Sequence, residues 1–229
     1  MILTTNIQTP NFQARNPVIR QVDDIARLTN RIFPVISSSK IKARAGHMHR
    51  FDSLYKRIGN EIGQNVRCHT TQPDSLARAM LIGSAMRKFK VGNCAELSRI
   101  SNLICKVNGI NALPFQFMVE RNGRIIELDH MALIYPLKAF PQKTKKFSQS
   151  KDYIIIDPWL GFADYAPKAQ ERYNKDFKKL LKIGADEKLV INPKYISYKD
   201  KLFNTDIKLL KTKFAAWFRC FSLPKNLQK

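Results

Sequence analysis

Two runs of alternating apolar residues, LPFQFMVE from Leu113 and IIELDHMALIY from Ile125, flank Arg121-Asn122-Gly123-Arg124. Asn-Gly between such runs is the strongest short-range hairpin cue, because a two-residue type I′ turn needs positive φ at both central positions. The chain must therefore build an antiparallel sheet around this hairpin. With Asn122 and Gly123 as the turn, Glu120 faces Ile125, Val119 faces Ile126, Phe117 faces Leu128 and Phe115 faces His130. The period of two places His130 in one row with Ile126, Leu128, Ala132 and Ile134, half-buried against the helix that precedes the hairpin.

That helix opens at Gly92-Asn93-Cys94. Leu97, Ile100, Leu103, Ile104 and Val107 recur at helical spacing, and Asn108-Gly109 supplies a left-handed stop. Cys94 falls in the first turn, where unpaired N–H groups and the positive dipole end favour a thiolate. Upstream, Pro73, Asp74 and Ser75 start a helix with Leu76, Met80, Leu81 and Met86 on one face. Further helical segments are expected around Arg20 to Ile32 and Arg50 to Gly63, separated by PVISSSK. After the hairpin the lysine-rich KAFPQKTKKFSQSK reads as an exposed loop. Tyr153 to Ile156 then reads as a short buried strand, with Asp157 its last residue before Pro158. An antiparallel return from the previous strand brings Asp157 beside His130. The fold class is α+β, with a mainly helical region over 1–74, a core over 75–170 and a basic, partly helical region over 171–229 packed on the core.

The 229 residues suffice for a sizeable core. The formal charge of +22 would suit a polyanion or an anionic membrane face. The charge is evenly spread, however: residues 1–142 and 143–229 each carry 20 basic and 9 acidic side chains. With no arginine-rich tail, RNA-binding signature or zinc-finger spacing, it reads as solvated lysines and does not point to nucleic acid. The N-terminus lacks the apolar core of a secretory signal, and no run approaches a membrane span, so a cytosolic fold is expected. Cys68, Cys94, Cys105 and Cys220 are then free thiols by default. Ile207, Leu210, Phe214, Trp217, Phe218 and Phe221 share one face of a C-terminal helix, expected to dock on the domain, with contact to an anionic membrane or a partner as the alternative.

A cysteine attacking an amide carbonyl needs a base, a group to orient that base, and N–H donors for the oxyanion. Cys94, His130 and Asp157 fill the first three roles without cofactor or metal. The Cys94 backbone N–H is one oxyanion donor, and Gln64 and Gln72 are upstream amide candidates for a second. Glu96 is read as a helix-start cap, Asn93 as a turn or substrate contact, Trp159 and Cys105 as packing. His47, His49, Cys68 and His69 match no standard zinc module.

GNCAELSRISNLICKVNGINALPFQF, ELDHMALIY and YIIIDPW together resemble the transglutaminase-like branch of the papain-like superfamily. There a G-x-C-x-E helix start is followed by Gly-Ile-x-Ala leading into a strand, a strand histidine and an aspartate before proline. The resemblance covers about Ser75 to Gly161. It implies a helix bearing Cys94 packed on an antiparallel sheet bearing His130 and Asp157, and acyl transfer at a protein glutamine by deamidation or transglutamination. Family members often carry an aromatic residue in H-x-W, where this chain has His130-Met131-Ala132, and no Asp-rich calcium loop occurs. A compact basic chain of this kind also resembles effectors that bacterial pathogens inject into host cells, which implies a host protein substrate and export by a specialised secretion system. The alternatives are a cysteine protease using the same three residues and an inactive basic binding module.

Overall fold

The computed structural model describes residues 17–37, 52–71, 75–184, 187–197 and 207–219. The expected hairpin forms the centre: β1 (Leu113–Arg121) and β2 (Arg124–Pro136) are joined by Asn122 and Gly123 with φ of +49° and +73°. Both positive values are what a type I′ turn requires. β3 (Lys145–Lys146), β4 (Tyr153–Asp157), β5 (Phe162–Tyr165) and β6 (Lys188–Ile191) complete a six-stranded sheet in the order β3-β6-β1-β2-β4-β5, with every pairing antiparallel. Before it come α1 (Pro17–Ile32), α2 (Asp52–Glu61), α3 (Ser75–Phe89) and α4 (Cys94–Val107); after β5 come α5 (Ala166–Arg172), α6 (Lys178–Leu181) and α7 (Ile207–Arg219). The protein is therefore mixed α+β with an antiparallel sheet. No helix among the described residues is long and apolar enough to cross a membrane.

The register differs from strict alternation at one place. Pairing runs as expected from Arg121↔Arg124 to Met118↔Glu127, then resumes at Gln116↔Met131 and Phe115↔Ala132. Leu128, Asp129 and His130 thus oppose Phe117 alone, and Phe115 faces Ala132 rather than His130. Two extra residues on β2 make a bulge that bends the strand and increases its twist. Ile126, expected in the buried row, is partly exposed toward the hairpin tip.

α4 carries the expected face: Leu97, Ile100, Leu103 and Ile104 are buried, with Val107 partly so. The helix stops where Gly109 takes φ +75° and Ile110 N–H donates to the Cys105 carbonyl at 2.8 Å. α1 supplies Ile19, Val22, Ile25, Ala26 and Thr29 to the interior and packs on α4, β4 and β5. The lysine-rich loop is more ordered than its composition suggests. Lys145 and Lys146 pair with Ile191 and Val190 at the sheet edge, and Phe147 is fully buried among Phe115 and Phe117.

The buried face of α3 is rotated from expectation. Leu76, Ala79, Ile82, Ala85 and Met86 are buried, while Leu81 is exposed. The reason is Trp217 of α7: a Cβ on Gly83 would lie 2.8 Å from Trp217 Cζ2 and 2.9 Å from Ile100 Cδ1, so the indole occupies the space a side chain would fill. Trp217 Nε1 donates to Ser84 Oγ at 3.0 Å. The C-terminal helix thus docks on the domain, although Phe221 and Cys220 and the side chains of Ile207, Leu210 and Phe218 lie outside the described residues. One buried cluster runs from Ile19 through Trp217, so the N-terminal and C-terminal regions share the interior of the middle one. Gly83→Val should cost about 1–3 kcal/mol by overpacking, read as a lower thermal midpoint and a red shift of tryptophan emission as α7 lifts away.

Candidate active site

Cys94 is the first residue of α4, and the N–H groups of Cys94 and Ala95 precede the first backbone bond of the helix, Leu97 N–H to the Asn93 carbonyl at 3.2 Å. Glu96 closes the start: its Oε2 accepts from Asn93 N–H at 2.9 Å, and its Oε1 accepts from Arg67 Nε at 3.0 Å. This is the capping role expected of Glu96. The strand-like segment before α4 is clamped in turn. Ile36 bridges Val91 in parallel, and Ser37 Oγ donates to Asn93 Oδ1 at 2.6 Å, so Asn93 is a structural residue of the turn. Only position separates Cys94 from Cys105, which is fully buried further along the same helix and whose thiol burial pushes up to about 12. Cys68, Cys94 and Cys105 are all free thiols.

β2 and β4 pair from Pro136↔Tyr153 to Leu133↔Ile156. The next step sets Asp157 opposite Ala132, on the pleat that also carries His130 two residues away. There His130 Nε2 and Asp157 Oδ2 are 2.7 Å apart, with both side chains buried. Asp157 accepts three further hydrogen bonds. Trp159 N–H at 3.1 Å and Leu160 N–H at 3.0 Å donate to Oδ1, and Tyr173 OH at 2.9 Å donates to Oδ2. Tyr173 opens a π turn (Tyr173–Phe177) between α5 and α6, and nothing in its local sequence marks it as a site residue. Burial and the Asp157 charge push its phenol well above 10, which keeps it a donor.

The imidazole lies between aromatic rings, Phe117 at 4.7 Å edge-on and Trp159 at 5.2 Å, so Trp159 packs as expected. α1 fixes the turn carrying Trp159, since Asn30 Nδ2 donates to the Pro158 and Trp159 carbonyls, each at 3.0 Å. Burial works against a charged His130, but it is outweighed by the Asp157 carboxylate and, secondarily, by Cys94, and the imidazole is pushed up to about 10. Its other nitrogen, Nδ1, is buried and closes no hydrogen bond. With Nε2 held by Asp157, Nδ1 is the atom that can exchange a proton with the thiol.

Cys94 and His130 line one cavity of about 220 Å³, with Gly59, Ile62, Arg67, Asn93, Ala95, Gln116, Asp129 and Met131. Gly59 lies on α2, Ile62 on the π turn after it (Ile62–Val66) and Arg67 on the following 3₁₀ turn (Arg67–Thr71), so the N-terminal region walls the site. Gln64 is exposed and does not line the cavity, and Gln72 lies outside the described residues. The amide on the wall is Gln116, whose Nε2 donates to the Leu128 carbonyl exposed by the bulge. Cys68 is exposed, and among the described residues no three His, Cys, Asp or Glu side chains group to hold a metal; His47 and His49 lie outside those residues. Compared with family models, curated proteins and solved structures, the chain matches none of them.

His130 gains a proton affinity in the fold that it lacks when unfolded. Its contribution to stability is complete below about pH 6.5, its ordinary pKa, and is lost as pH rises through about 10. The stability gap between the parent and His130→Gln should therefore narrow from pH 7 to 10.5 in denaturant titrations. Tyr173→Phe leaves Asp157 Oδ2 to His130 alone. The expected result is a further rise of the His130 pKa by NMR titration, with about 1–3 kcal/mol of stability lost.

Proposed function

We propose that the chain is a cysteine-nucleophile acyl-transfer enzyme of the transglutaminase-like, papain-like type, acting on a protein glutamine. The observation that carries this reading is the placement of Cys94, at a helix start, on one cavity wall with His130, whose far nitrogen pairs with buried Asp157 at 2.7 Å. Nucleophile, base and orienting acid come from α4, β2 and β4 in that order, the order and element types the family resemblance implies. In this reading each ring nitrogen has one task, as triad chemistry requires: Nε2 pairs with Asp157 and Nδ1 serves the thiol.

In the proposed reaction His130 Nδ1 holds the thiol proton while Cys94 Sγ attacks the glutamine Cδ. The C–S bond forms and the carbonyl π pair moves to oxygen. Collapse of the oxyanion breaks the C–N bond, and His130 returns its proton to the departing ammonia, leaving a thioester. Water then attacks, with His130 as base, to give glutamate and the free thiol. An amine in place of water gives an isopeptide link. Asp157 stays ionised throughout and holds the ring.

Incubating the full chain with a glutamine-rich protein such as casein and reading intact mass tests this. A gain of about 1 Da per site, or an amine adduct when an amine is supplied, is expected, and Cys94→Ala and His130→Ala should each lower it at least a hundredfold. Fragments at new termini would instead identify a cysteine protease. No covalent change, with salt-sensitive vesicle binding that survives Cys94→Ala, would identify a binding module.

A further inference from the structure

An oxyanion formed on Cys94 needs more than the helix-start N–H, and the cavity wall offers few side chains to meet it. Asn93 and Gln116 present neutral amide N–H groups on side chains held by Ser37 Oγ and the Leu128 carbonyl, and Asp129 has the wrong charge. His130 carries the proton of the reaction. Arg67 brings a permanent positive charge to the same wall. Its guanidinium has five N–H donors in a rigid fork and does not lose its charge.

Two features tie this half-exposed arginine to the site. Glu96, buried to 1% exposure, grips it through Nε at 3.0 Å, and the other Glu96 oxygen caps the helix at Asn93 N–H. The guanidinium is therefore tied to the same helix start that places the nucleophile. Glu96 orients the fork through Nε. Arg67 also feels the charges of Cys94 and Asp129 across the cavity, which with Glu96 raise its proton affinity although burial opposes it. Arg67 and Cys94 line the same cavity of about 220 Å³.

We infer that Arg67 is a catalytic residue that stabilises the tetrahedral oxyanion formed at Cys94, together with the Cys94 backbone N–H. The role deepens the acyl-transfer reading and rests on it. Fixed charge aimed at where charge develops does not have to reorganise during the reaction. Glu96 is the positioning residue for this charge, so the G-N-C-A-E start links nucleophile and oxyanion donor through one carboxylate.

Two probes separate this role from a structural ion pair. p-Nitrophenyl acetate acylates a thiolate through an oxyanion and releases p-nitrophenolate, whereas iodoacetamide alkylates it through none. Both rates are followed at the Cys94 peptide by mass and taken at their high-pH plateaus, where thiolate fraction no longer differs between variants. Arg67→Gln is expected to lower the acylation plateau about tenfold to a hundredfold and to leave the alkylation plateau within about twofold. Arg67→Lys keeps the charge without the fork, so it should lose less, and it decides the matter if Arg67→Gln does not fold. Acylation that is unchanged, or that falls in step with alkylation, overturns the inference alone. A parent protein alkylated at Cys94 but never acylated there overturns the acyl-transfer reading and the inference with it.

Discussion

A carboxylate buried without solvent is tolerable only when each oxygen finds donors, and most of this structure is arranged so that Asp157 finds four. Two are the backbone N–H groups of the turn that follows β4, one is the imidazole from β2, and one is the phenol from the π turn after α5. The turn is held by Asn30 of α1 and the phenol by the aromatic cluster of Phe117 and Phe162. One charge thus draws together a helix before the sheet, two adjacent strands and a helical segment after it. Removing any one donor leaves the others to carry an uncompensated buried charge, which is why the stability and the chemistry of this site are not separable.

The second centre of organisation is Glu96. It is buried, it caps α4 through Asn93, and it reaches Arg67 in the N-terminal region. The 33–37 segment pairs with the residues just before Cys94, so this thiol is fixed from its helix and from the chain that crosses it. Of the two buried carboxylates, one pairs with His130 and the other caps the helix that begins at Cys94.

What could be read from the sequence was what depends on neighbours in the chain. Asn122-Gly123 specifies its turn by φ alone, and the face of α4 follows from the spacing of Leu97, Ile100, Leu103 and Ile104. Cys94, His130 and Asp157 stood out as a candidate set, and the structure brings Cys94 and His130 to one cavity and His130 and Asp157 to one hydrogen-bonded pair. What escaped reading depends on distant partners. The face of α3 was misjudged because Trp217 fills the space beside Gly83, turning Ala79, Ile82 and Met86 inward and leaving Leu81 exposed. Phe147 is buried from within a lysine-rich stretch because the aromatic cluster needs it. Tyr173 and Arg67 gain their roles from residues 16 and 29 positions away, a relation that no local pattern carries.

The bulge in β2 has a mechanical consequence. Leu128, Asp129 and His130 together span the length that Phe117 spans alone, and the ladder restarts beyond them at Met131. The count of inserted residues is even, so the inward and outward sense of the side chains is the same on both sides of the break. The hairpin tip and the base-bearing end of the strand are therefore two separately indexed rulers. Residues added or lost in matched pairs around Asn122-Gly123 would lengthen or shorten a projecting arm without moving His130 relative to Cys94, so the tip can vary in reach while these two side chains stay where they are.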